Sequence, residues 1–247
     1  MPLRLFTTVS NSLLSLVYPQ PCGTCGASVE EHSLGTTCSD CWDSTRLFTG
    51  SETLCEKCGA FLNNAPATVE TFCGRCESHY YDQARAAGVY EGAIRNAVLG
   101  LKSTPFLSTR IKDKLTEAFE ISGFASAELL IPVPLSRKRL AERGHNQAAV
   151  IGGVVSTKLG IEMDIAAIER AIDTPMHRVG MDQKARELTV KKVFKVAHPR
   201  VINGKTVVLI DDVFTSGATA SACAQVLKKS GAARVFVFTL GRAVLFK

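Results

Sequence analysis

The run VVLIDDVFTSGATA, residues 207–220, restricts the possible folds more than any other part of the chain. Val207 to Ile210 are apolar at every position, so both faces of an extended segment need cover, the pattern of a central parallel strand between helices. Two carboxylates, Asp211 and Asp212, end the run, and a turn of small and hydroxyl-bearing residues follows. The next stretch, ASACAQVLKK, reads as a helix that stops near Gly231. A loop that leaves the carboxyl end of a parallel strand and enters a helix N-terminus aims several unpaired backbone N–H groups at one point, where they stabilise an anion. Gly217 lets the backbone approach that anion closely, Ala218 adds no bulk, and Thr215, Ser216 and Thr219 supply hydroxyl donors. Asp211 and Asp212 repel phosphate; they suit sugar hydroxyls and a magnesium ion that carries part of the ligand's charge. The segment therefore reads as a sugar phosphate site. Neither GxxxxGK(S/T) nor GxGxxG is present, so it is not a Walker loop or a dinucleotide fingerprint. Cys223, four residues from both Thr219 and Leu227, reads as a buried thiol rather than a nucleophile.

A second strand-to-loop transition lies at LLIPVPLSRKRLAERGHNQ, residues 129–147. Leu129 to Val133 reads as a core strand, interrupted by Pro132 and Pro134 and released into a basic loop before a helix from about Asn146. Backbone amides at Leu135 and Ser136, with Arg137 and Arg139 beside them, can take the two phosphates of a diphosphate. His145 reads as a ligand contact or a satisfied polar group. Further strand-like runs cover 193–196 and 235–240, and helical patterns cover 91–101, 106–119 and 146–159. This alternation predicts a three-layer α/β domain with a mainly parallel sheet from about residue 84 onward.

Eight of the nine cysteines form four C-x-x-C pairs, Cys22/Cys25, Cys38/Cys41, Cys55/Cys58 and Cys73/Cys76, separated by 12, 13 and 14 residues. A two-residue gap lets both sulfurs of a pair reach one ion, and two pairs complete a closed tetrahedral S4 shell, so two structural zinc ions are expected. Four such pairs in series do not fit a dithiol redox enzyme. Sequential pairing closes the shorter loops, while interleaved pairing satisfies the same ligand count. The core of the back domain is not expected to depend on these ligands.

Residues 1–80 carry 4 Lys/Arg against 8 Asp/Glu, and residues 81–247 carry 25 against 15, so the net charge of +6 resides in the back half. An acidic cysteine module is ill suited to gripping nucleic acid, and the basic stretches 137–143 and 178–195 are the better candidates. From them Arg143, Lys184, Lys191 and Lys192 are taken as candidate nucleic-acid contacts. The first nineteen residues have one basic flank, Arg4, and an apolar pattern broken by Thr and Ser; they fit neither a signal peptide nor a membrane span. Leu3, Phe6, Leu13, Leu14 and Val17 can line one helix face, covering the protein's own core or touching a membrane or partner. The expected location is cytoplasmic.

These residues resemble the ComF family, the competence-protein F group of double zinc ribbon, phosphoribosyltransferase-like proteins. Its phosphoribosyl diphosphate motif is similar to 208–220 here. Its PVPL..RL..RG.NQ element is matched by Pro132, Val133, Pro134, Leu135, Arg139, Leu140, Arg143, Gly144, Asn146 and Gln147, and its Y.G..R....LK element by Tyr90, Gly92, Arg95, Leu101 and Lys102. His145 stands where the family usually has Phe, and where the family has T..Q and R..N this chain has Thr174 with His177 and Arg186 with Thr189. The resemblance implies a cysteine-rich double zinc ribbon over 1–82 and a type I phosphoribosyltransferase-like domain over 83–247. It also implies 5-phosphoribosyl 1-diphosphate with magnesium as ligand, Asp211 and Asp212 as the catalytic ribose-facing pair, and Thr215 to Thr219 as the 5-phosphate loop. Family members are linked to DNA uptake in natural transformation and to passage of single-stranded DNA at the inner face of the cytoplasmic membrane. Two readings follow: a phosphoribosyltransferase, which is a glycosyltransferase, or a ligand-responsive DNA-handling or assembly protein that keeps the site without turnover.

Overall fold

The computed structural model describes residues 20–62, 72–74, 76–171 and 193–244. In chain order the elements are α1 (Ser39–Asp43), β1 (Gln83–Val89), α2 (Gly92–Gly100), α3 (Thr109–Ile121), β2 (Leu129–Pro132), α4 (Arg137–Arg143) and α5 (Gln147–Leu159). They continue with β3 (Ile168–Arg170), β4 (Phe194–Val196), α6 (Pro199–Ile202), β5 (Thr206–Phe214), α7 (Ala218–Lys229) and β6 (Arg234–Arg242). Four strands make a sheet in the order β1-β6-β5-β2, and every neighbouring pair in it is parallel. This is the α/β class expected.

The sheet forms because β5 and β6 carry apolar side chains on both faces. Val208 and Ile210 join one core with Ile111, Leu115 and Phe119 of α3 and Ile151 and Val155 of α5. Val207 and Leu209 join the opposite core with Cys223 and Leu227 of α7, Ile168 of β3 and Phe194 of β4. All four β5 side chains are fully buried, each contributing about 1.5–3 kcal/mol of apolar transfer free energy. Phe236, Phe238 and Phe124 pack on the first face, with Phe124 stacked on Phe236 at 4.6 Å. Cys223 packs on the opposite face as a core thiol, and burial pushes its pKa well up.

Three elements differ from the expectation. The run 137–143 is a short helix rather than a loop, because Ser136 caps it: its Oγ accepts the Arg139 N–H at 3.3 Å. Strand β4 leaves the main sheet and pairs antiparallel with β3. Strand β1, QARAAGV, has almost no β-branched residues and gives little periodic signal. Its small residues serve close approach instead: a Cβ at Gly88 would lie 2.7 Å from the Arg46 carbonyl oxygen.

That approach shows how the cysteine-rich segment sits. Strand β1 is the sheet's edge, and the chain between the second and third cysteine pairs runs along it. Phe48 donates to the Ala87 carbonyl at 3.0 Å, Val89 to Arg46 at 2.9 Å and Ala84 to Lys57 at 2.7 Å. Cys22, Cys38, Cys41 and Trp42 share the first core with Ile94, Leu107 and Ile111, while Cys55, Cys58 and Cys76 share the second with Tyr81, Leu209 and Phe214. The back domain's cores thus contain the cysteine ligands, contrary to the independence expected. Covering an apolar sheet edge with a short acidic segment buries surface that neither part can bury alone.

Candidate functional site

The carboxyl ends of β5 and β2 open into a cleft of about 430 Å³. Asp211, Asp212, Thr215 and Thr219 line it from β5 and the following loop; Leu135, Arg139 and Arg143 line it from the loop and helix after β2. Gly217 and Ala218 line a small recess with Asp211, Thr215 and Thr219. Gly217 is the N-cap of α7 with φ at 78°, a left-handed conformation that glycine adopts without strain. The 12-residue α7 therefore turns its positive end toward the recess.

The space a side chain at Gly217 would need is occupied by protein. A Cβ there would meet Phe214 Cζ at 2.7 Å, Tyr81 Oη at 3.0 Å and His79 Cε1 at 3.1 Å. Asp211 is half-buried; its Oδ1 accepts the Asp212 N–H at 2.9 Å. Burial, and next the charge of Asp212, push its pKa up to about 8. A carboxyl in that state gains most from a cation or several hydroxyl donors arriving together with the ligand.

Sequence reasoning did not name every cleft residue. Tyr90, Lys102, Asn146, Gln147 and Arg170 also line it. Four of these stand in the family-like elements around 90–102 and 132–147, which was the available signal; Arg170, on β3, had none. Among the candidates, Ser136 serves as the α4 cap, and Arg137 and Ser216 do not line the cleft. Lys184, Lys191 and Lys192 lie outside the described residues, as do Thr174, His177, Arg186 and Thr189. His145 proves to be a satisfied polar group. Its Nδ1 lies 2.8 Å from the Arg143 carbonyl and its Nε2 2.7 Å from that of Leu101, where Gln147 Nε2 also donates at 3.0 Å. The pair fastens the end of α2, and with it Lys102, to the turn before α5.

The cysteines fall into two groups, Cys22/Cys25/Cys38/Cys41 and Cys55/Cys58/Cys73/Cys76, with all sulfurs of a group within 4.8 Å of one another. Pairing is therefore sequential. Sulfur separations of 3.6 Å for Cys25–Cys38, 3.7 Å for Cys55–Cys76 and 3.5 Å for Cys58–Cys73 fit the edge of a tetrahedron. With Zn–S bonds of ~2.3 Å that edge is ~3.8 Å. Among the described residues each group offers four thiolates and no further ligand, so both fit structural zinc sites.

Fold and cysteine module together define the class: a parallel α/β protein with a double zinc ribbon in front. Comparison with known proteins agrees. The model of the family described as a double zinc ribbon domain matches residues 13–77. DNA utilization protein YhgH of Escherichia coli (strain K12) is 29% identical over 216 residues, covering 84% of this chain and 90% of that protein. Competence protein ComFC of Bacillus subtilis (strain 168) is 25% identical over 229 residues, covering 82% and 89%. Competence protein F of Haemophilus influenzae is 33% identical over 117 residues, covering 47% and 51%. These likenesses support the resemblance to the ComF family. Among solved structures, the glutamine phosphoribosylpyrophosphate amidotransferase of B. subtilis complexed with ADP and GMP aligns with a TM-score of 0.39 at 18% identity. That alignment covers 57% of this chain, which spans 30% of the length of the amidotransferase. No helix among the described residues is long and apolar enough to cross a membrane.

Proposed function

We propose that this chain binds 5-phosphoribosyl 1-diphosphate with magnesium, and that it does so in the handling of DNA taken up by natural transformation, at the inner face of the cytoplasmic membrane. One observation carries the ligand reading. The α7 N-terminus, the hydroxyls of Thr215 and Thr219, the carboxylates of Asp211 and Asp212, and the guanidinium groups of Arg139 and Arg143 all face one cleft. A phosphate at one end, a polyol and cation in the middle and a second anionic group at the other end match that order of groups. Asp211 and Asp212 hold the ribose hydroxyls and magnesium, the loop holds the 5-phosphate, and Leu135 to Arg139 with Arg143 hold the diphosphate. In the transfer reading, the bond from the anomeric carbon to the diphosphate oxygen breaks, and pyrophosphate leaves with its electron pair. The acceptor's lone pair then forms the new bond to that carbon. The cations offset the leaving group's charge, and no side chain need become covalently attached. The DNA connection rests on the likeness to competence and DNA utilization proteins and on the exposed basic helix α4, which buries none of its residues.

Calorimetry with phosphoribosyl diphosphate should give magnesium-dependent binding that Asp212→Asn weakens at least about tenfold, a loss of about 1.4 kcal/mol. Absence of binding by the wild-type chain in magnesium would sink the reading. Binding without pyrophosphate release, across a panel of bases and with single-stranded DNA, would assign the site to a ligand-responsive DNA-handling protein rather than to a transferase.

A further inference from the structure

We infer that His79 and Tyr81 make the second zinc knuckle the support of the phosphate loop, so that metal held by Cys55, Cys58, Cys73 and Cys76, and not the metal of the first knuckle, keeps residues 214–221 ordered. The assignment of this loop to phosphate rests on the function proposed above; the mechanical link does not.

Residues 79, 80 and 81 each touch the loop or the first turn of α7. Tyr81 is fully buried, and its ring meets Phe214 edge-on with centroids 5.9 Å apart. Its hydroxyl lies 2.6 Å from His79 Nδ1, and a Cβ at Gly217 would lie 3.0 Å from that hydroxyl and 3.1 Å from His79 Cε1. Tyr80 donates its N–H to Ser221 Oγ at 3.2 Å. This segment is anchored to the knuckle at His79. His79 N–H donates to the Cys76 carbonyl at 3.0 Å. Lys57, between Cys55 and Cys58, donates through Nζ to the carbonyls of Glu77 at 3.2 Å and His79 at 2.8 Å. A second route runs through Arg242, whose buried guanidinium donates to the Cys58 carbonyl, lies 3.7 Å from the Cys58 sulfur, and stacks over the Phe214 ring at 4.8 Å. Without zinc nothing offsets the entropy of holding residues 55–76 closed, and both routes lose their fixed end.

The first knuckle is wired elsewhere. Asn96 donates through Nδ2 to Thr24 Oγ1 at 2.8 Å and Thr37 Oγ1 at 3.1 Å, and Thr45 Oγ1 accepts the Ala93 N–H at 2.9 Å. Those contacts end on α2.

Amide hydrogen exchange on the full, zinc-loaded chain reads the difference without any ligand. In Cys73→Ser, amides of 214–221 should exchange about tenfold or more faster than in wild type, while those of the β5 core stay protected. In Cys25→Ser the acceleration should fall on α2, with 214–221 unchanged. Should Cys73→Ser unfold as a whole, Tyr81→Phe and His79→Ala, both checked to retain two zinc ions, decide instead, each accelerating 214–221 alone. Equal acceleration of 214–221 in the two cysteine variants, or wild-type rates there in Tyr81→Phe and His79→Ala, would overturn the inference. Calorimetric affinity for phosphoribosyl diphosphate should fall in step with the exchange rates. A wild-type chain that fails to bind it defeats the sugar phosphate reading, while the exchange result still decides the support of the loop.

Discussion

Replacing Asp211 by Asn should make the ligand-free protein more stable at neutral pH, although it removes a residue central to the site. The carboxyl's pKa, pushed up to about 8 by burial and by Asp212, exceeds its unfolded value, so the folded state holds a proton that the unfolded state releases. Stability from this group is therefore full below about pH 4 and is lost as pH rises toward about 8. At pH 7 the ceiling on that cost is about 1.36 kcal/mol for each of roughly three pH units, or about 4 kcal/mol. Asp211 stands on the wall of a solvent-filled cleft, so screening leaves about half, near 2 kcal/mol. Asn cannot ionise, and its Oδ1 still accepts the Asp212 N–H. Thermal unfolding without ligand should show the variant melting about 4–8 °C above wild type at pH 7.5. The gap should narrow steadily toward pH 5.5; the series stops there because thiolate protonation releases zinc at lower pH. A variant no more stable than wild type at pH 7.5, or an advantage independent of pH, would refute the reasoning.

Gly217→Val should cost about 2–4 kcal/mol, because it combines left-handed strain with overlap against Phe214 and Tyr81, and thermal melts should register it even without ligand. Elemental analysis of protein purified without added metal should find two zinc ions per chain. Cys22→Ser should leave one of them and lower the melting temperature of the whole chain, since Cys22 shares a core with Ile94 and Phe119; an unchanged melt would contradict that shared core.

The parts of the fold legible in the sequence are those where local pattern and tertiary role coincide. Val207 to Ile210 is apolar on both faces because it lies between two packed layers, and TSGAT, past the strand's end at Phe214, is small and polar because it leads into a helix N-terminus. The four cysteine pairs carried their chemistry in their spacing, while the choice between sequential and interleaved pairing came from the structure. What stayed hidden was relational. Strand β1 is built of Ala and Gly because another segment lies against it, a reason visible only from the partner's side. Arg170 reaches the cleft because β3 and β4 pair outside the main sheet, which no local period encodes. His145 resembles a catalytic residue by type, but two carbonyl oxygens occupy it.

The position of β1 has a further consequence for how the chain is made. Its sheet neighbour among the described residues, β6, follows about 150 residues later. At ~5–20 residues per second, roughly 8–30 s of synthesis separate the two strands. Throughout that interval β1 already has companions: residues 46–48 and 57, which precede it and carry complementary donors and acceptors for Ala84, Ala87 and Val89. A ribbon that folds as it emerges would cover one edge of this strand during synthesis, as it does in the finished protein.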